Sequence, residues 1–117
     1  MQLQERIVGG VAIIKVIGDI TLNRGGDVIL KDKVQSLLHQ GHRNLLIDLS
    51  GVSYVDSAGL GELVQAYVTT KNRGGSLRLL NLTKRIQDLL VVTKLLTVFD
   101  AYDSESTAVA SFAAGSG

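Results

Sequence analysis

No cysteine occurs in the 117 residues, which excludes disulfides and thiolate metal sites and suits a reducing compartment. Proline is equally absent while glycine occurs 13 times, and residues are 45% hydrophobic and 20% charged. That balance describes a globular, turn-rich chain rather than a disordered one. No sign of charge prevails: 12 Lys and Arg stand against 11 Asp and Glu, for a net charge of +1. The basic residues are scattered, so neither nucleic acid nor an anionic membrane is implied as a partner. Long hydrophobic runs are missing too. Glu5 and Arg6 precede a short apolar stretch that is broken at Lys15, so there is neither a signal-peptide core nor a membrane span of about 20 residues. A cytoplasmic protein without membrane insertion is the expectation. His39 and His42 lie three apart near a helix end, where solvation or attraction to the helix dipole accounts for them better than metal ligation. Neither a metal nor a cofactor is expected.

What is present divides into nine elements. Leu3 to Val8 and Val11 to Ile17 are β-rich runs joined by Gly9-Gly10, a two-residue connection suited to a tight hairpin. Gly18-Asp19-Ile20-Thr21 closes the second strand, and Asn23-Arg24-Gly25-Gly26-Asp27 marks a turn. Leu30, Val34, Leu37 and Leu38 then recur at helical spacing, with Asp27 near the start and Gly41 as the cap beyond the end. Leu45-Leu46-Ile47 does not alternate, which suits a central strand covered on both faces.

A second helical stripe runs through Leu60, Leu63, Val64, Tyr67 and Val68, with Glu62, Gln65, Thr69 and Lys71 facing out, and stops at Gly74-Gly75. A strand from Leu77 to Leu82 follows. Thr83 caps a third helix that buries Ile86, Leu89 and Leu90, and its Lys84 and Arg85 read as solvated charges that could also join an interface. Val98 to Ala101 is a short strand, Asp103 or Ser104 caps a last helix with Ala108, Val109 and Phe112, and Gly115-Ser116-Gly117 should fray. The expected fold is a single α/β domain over residues 1–113 with a flexible tail at 114–117. Its central mixed sheet has about five strands, an N-terminal hairpin followed by alternating strands and helices, packed by about four helices.

The most informative stretch is Ile47 to Gly61, IDLSGVSYVDSAGLG. A strand ends, a short loop follows, and a helix opens at Asp56-Ser57 with Gly59 and Gly61 in its first turns. Glycine inside a helix costs about 1 kcal/mol relative to alanine, so something has to approach the backbone closely there. Helix N-termini also favour anions, which places a serine hydroxyl well for carrying or flanking a phosphate. Equally, Asp56 or Ser57 could serve simply as the N-cap. Two catalytic templates fail. A nucleophile elbow requires glycine two before the serine, where Val55 stands. A dinucleotide fingerprint needs a last small residue where Gly59-Leu60-Gly61-Glu62-Leu63-Val64 has valine. No catalytic residues are expected.

The run DLSGVSYVDSAGLG, with the Gly18-Asp19-Ile20 turn and the chain length, resembles the STAS domain and, within it, the bacterial anti-sigma-factor antagonists. The resemblance covers nearly the whole chain. It implies that Ser57 is a phosphoacceptor, with Asp56, Ala58, Gly59, Leu60 and Gly61 around it and Asp19 and Thr21 nearby. Relatives usually carry serine or threonine where Ala58 stands, so Ser57 is the only hydroxyl at the centre of this motif. The resemblance further implies a binding module, not an enzyme, present as a monomer or weak dimer. Unphosphorylated, it binds an anti-sigma factor that is also an ATP-dependent serine kinase, releasing the sigma factor for transcription. Phosphorylation reverses this and a serine phosphatase restores it, with no direct role for nucleic acid. Alternatives open at this point are a STAS subunit of a membrane lipid-transport ABC complex, a member of a larger signalling assembly, or a non-covalent nucleotide binder.

Overall fold

The computed structural model describes residues 2–21 and 26–114. The Asn23 to Gly25 part of the expected turn and the Gly115 to Gly117 tail lie outside the described residues. Nine elements follow in order: β1 (Gln2–Val8), β2 (Val11–Ile17), α1 (Gly26–His39), β3 (Asn44–Gly51), α2 (Ser57–Asn72), β4 (Ser76–Leu80), α3 (Lys84–Val92), β5 (Ala101–Tyr102) and α4 (Glu105–Ala114). Gly9 and Gly10 take φ of 56° and 79°, the pair of positive angles that matches a two-residue turn to the twist of its strands. β1 therefore folds back antiparallel on β2 with Val8 opposite Val11.

From β2 onward every neighbouring pair is parallel, and the five strands lie in the sheet in chain order, β1-β2-β3-β4-β5. Parallel crossovers are right-handed, so a sheet that always grows in one direction sends each crossover helix to the same face. The buried residues agree. The larger cluster joins Ile14, Val16, Ile47 and Leu79 of the sheet to Leu37 of α1, Leu63 of α2 and Leu90 of α3. On the other face Val11, Ile13, Leu46 and Leu80 meet Ala108 and Phe112 of α4. Leu45 to Leu49 are all buried on both sides of β3, which explains why this strand has no apolar alternation.

Three expectations about the elements need adjusting. β4 ends at Leu80, where Asn81 turns the backbone with φ of 57°, rather than reaching Leu82. The short fifth strand is Ala101–Tyr102 rather than Val98 to Ala101, because Phe99 leaves the sheet to enter the main core and packs edge-on to Tyr67, with ring centroids 5.5 Å apart. In α2, Val68 is exposed, while Ala66 and Thr70 are buried and the Thr70 hydroxyl donates to the Ala66 carbonyl at 2.8 Å. Small or self-satisfied side chains let the helix approach the sheet along a line that hydrophobicity alone does not mark.

β1 is an edge strand with backbone groups open to a further strand, and it is held by charge on both faces. Lys33 of α1 donates to Glu5 at 3.0 Å on one face, and Arg6 makes a two-pronged hydrogen bond to Glu105 of α4 on the other. Hydrogen bonding from Arg6 holds the Glu105 carboxyl below its ordinary range, and the same bond raises Arg6. A carboxylate with a depressed folded value stabilises the fold above its unfolded pKa, and that contribution is lost as pH falls through the folded one. Arg6→Gln is expected to move the Glu105 titration upward in NMR. It should also lower stability slightly at neutral pH, with the difference from wild type vanishing once both forms are protonated in acid.

Candidate functional site

After β2 and after β3 the chain does not diverge at once. Gly18 donates to the Gly51 carbonyl at 2.9 Å, Ile20 donates to Tyr54 at 3.0 Å, and Asp56 donates back to Ile20 at 3.4 Å. Ile20 and Val55 form a parallel bridge beyond the named strands. The Gly18 to Thr21 segment is thus brought against the start of α2, with Asp19 and Thr21 flanking the bridged residue. Val52 and Val55 point into the core, and Ser53 and Tyr54 point out.

The strand leading into this loop carries a buried carboxylate three residues before its end. Asp48, 6% exposed, accepts from the Ser50 backbone N–H at 2.9 Å and from the Asn81 amide at 3.4 Å. It ties the last residues of β3 to the end of β4, as a buried carboxylate needs such donors. Nothing in periodicity or composition had marked Asp48 for that role. The visible signal was only its position inside an otherwise apolar run.

The geometry decides which residue caps α2. Asp56 has extended backbone, φ −88° and ψ 179°, and its carboxylate accepts from the Gly59 N–H at 2.6 Å. Val55, just before the cap, and Leu60, in the first turn, both enter the main core, the arrangement of a hydrophobic staple. Ser57 is the first helical residue and is exposed, so its hydroxyl stands outside the capping role. Ala58 is half-buried beside it, and Gly61 is exposed on the next turn.

The two glycines have different reasons for being there. A Cβ at Gly59 would lie 1.9 Å from the Ile20 carbonyl oxygen, whereas nothing lies within 4 Å of one at Gly61. The close approach expected at the helix start is therefore made by the protein's own backbone. Gly59 and Leu60 support the site from beneath, and Ser57 and Gly61 form its outer surface.

Between the start of α2 and α3 runs a shallow, open groove bordered by Tyr54, Asp56, Ser57, Arg85, Leu89 and Val92, among others. Tyr54 is 44% and Val92 79% exposed, and the Arg85 guanidinium lies 6.0 Å from the Tyr54 ring centroid. Thr83 caps α3, accepting from the Ile86 N–H at 3.3 Å, as expected. Leu89 is only half-buried at the groove, while Ile86 and Leu90 enter the core. Because strand order never reverses, the crevice that holds ligands in doubly wound sheets does not arise here. The starts of the helices face an open surface instead. No cluster of three His, Asp or Glu able to hold a metal ion occurs among the described residues, and none of their helices is long and apolar enough to cross a membrane.

Residues 2–108 match the family model of the STAS domain. The chain is 39% identical over 88 residues to the anti-sigma-B factor antagonist of Bacillus subtilis, which spans 70% of this chain and 80% of that protein. A solved anti-sigma factor antagonist from Mycobacterium paratuberculosis superposes with a TM-score of 0.81 at 20% identity, covering 96% of this chain and 93% of the other. The phosphorylated form of the Bacillus cell-fate determinant SpoIIAA superposes with a TM-score of 0.72 at 16% identity, over 94% and 98%.

The contrast between the glycines can be measured. Gly59→Ala is expected to lower stability in urea unfolding by roughly 3 kcal/mol, since backbone rather than a side chain must yield. Gly61→Ala should raise it by about 0.5–1 kcal/mol through reduced freedom of the unfolded chain.

Proposed function

Since the chain belongs to the STAS domain family, we propose that it is an anti-sigma factor antagonist whose hold on its partner is switched by phosphorylation of Ser57. The observation that carries this reading is the division of labour at the start of α2. Asp56 caps the helix and leaves the Ser57 hydroxyl exposed at the end of the dipole that tolerates an anion. The curated relative named as an anti-sigma-B factor antagonist supports the general role. The apolar groove alongside, with Tyr54 and Val92 open to solvent, is the kind of surface that marks a protein partner.

In this reading the unphosphorylated protein docks on an anti-sigma factor that is also a serine kinase, and the sigma factor is released. ATP then transfers its γ-phosphoryl group to the Ser57 oxygen, the hydroxyl proton departs, and ADP is left. A serine phosphatase reverses the modification by hydrolysis. The phosphate adds about −1.5 to −2 charge at neutral pH beside Asp56. Docking then has to desolvate that charge, which opposes the complex, while the helix terminus offsets part of the cost within the free protein. The chain acts as substrate and binding module, and its own residues supply positioning rather than catalysis.

With the cognate kinase and ATP, mass spectrometry is expected to find one phosphate on Ser57, absent from Ser57→Ala. The alanine form should bind the kinase as wild type does, and Ser57→Asp should bind about tenfold more weakly, near 1.4 kcal/mol. Equal affinity of all three forms would exclude the switch.

A further inference from the structure

Lys84 faces the Asp88 carboxylate, whereas Arg85, next to it in the chain, takes part in no ion pair among the described residues. Its guanidinium instead rests over Tyr54 at 6.0 Å from the ring centroid, the outer limit of cation–π attraction. Asp88, one turn from Lys84 on the same helix, is engaged by Lys84 at 3.3 Å. Arg85 and Ser57 border the same open groove, and both are exposed.

We infer that Arg85 is the intramolecular counter-ion of a phosphate on Ser57, exchanging its weak contact with Tyr54 for a paired hydrogen bond to the phosphate oxygens. This rests on the reading that Ser57 is the modified residue. Guanidinium offers parallel donors that match phosphate geometry, and a charge-assisted pair outcompetes a marginal ring contact. The helix terminus offers a phosphate fewer donors than an uncapped one would. Its Gly59 N–H is already taken by Asp56, and Asp56 and Asp88 border the groove with like charge.

The consequence reaches beyond repulsion. Moving Arg85 uncovers Tyr54 and reshapes the groove wall, so phosphorylation redraws the docking surface as well as charging it. Arg85 thereby becomes a positioning residue for the switch.

The test uses the full chain with phosphoserine installed at position 57 during translation, so that no kinase is involved. The second ionisation of the phosphate is followed by phosphorus NMR in wild type, Arg85→Gln, Arg85→Lys and Lys84→Gln, at low and high salt. Pairing with Arg85 should hold the wild-type value about half a unit below that of Arg85→Gln, with Arg85→Lys between them. Lys84→Gln should match wild type, and the gap should narrow in high salt. Equal values for wild type and Arg85→Gln, or an equal shift in Lys84→Gln, would overturn the pair. Since the phosphate is placed without an enzyme, that result would leave the proposed modification standing. Conversely, failure of kinases to modify Ser57 would overturn the modification without altering this measurement.

Discussion

The carbonyl of Ile20 occupies the space where a side chain at position 59 would begin, and this contact sets the start of α2 against the segment that leaves β2. Above it, the segment leaving β2 and the loop leaving β3 exchange backbone hydrogen bonds through Gly18, Ile20, Tyr54 and Asp56. Below it, α2 can settle onto the sheet only because its third residue has no Cβ. The position of Asp56, the exposure of Ser57 and the line taken by Leu60 and Leu63 into the core all follow.

The sheet supplies the rest of the frame. Four parallel strands added in one direction place α1, α2 and α3 side by side, so the start of α2 and the face of α3 border a common groove. α4 closes part of the opposite face and, through Arg6 and Glu105, also secures the edge strand. The groove is open and partly apolar, which suits a protein surface better than the enclosure of a small molecule. Fold and function are connected here by the unreversed order of the strands.

Much of this was legible in the residues. Gly9-Gly10, the unalternating Leu45-Leu46-Ile47 and the Thr83 cap each carry a local signal, and the elements formed where those signals lie. Misreadings arose where packing overrode hydrophobicity. Val68 looked like core because it is apolar and near the stripe, yet Thr70 is buried because its hydroxyl finds a carbonyl one turn back. Phe99 suited a strand and became a core residue instead. Arg85 read as a solvated charge and is exposed, and only the fold brings it to the groove that Ser57 also borders.

The DSAGLG run by itself determined that a helix begins beside a serine with glycines in its first turns, because capping preference and backbone freedom are properties of adjacent residues. Whether Asp56 or Ser57 would cap was undecided at that level, as both side chains can accept the same N–H. Only the tertiary structure assigned the cap to Asp56, gave Gly59 a reason in the Ile20 carbonyl, and showed that Gly61 has none of that kind. The Ile20 contacts with Asp56 and Gly59 join segments distant along the chain, which no local pattern encodes.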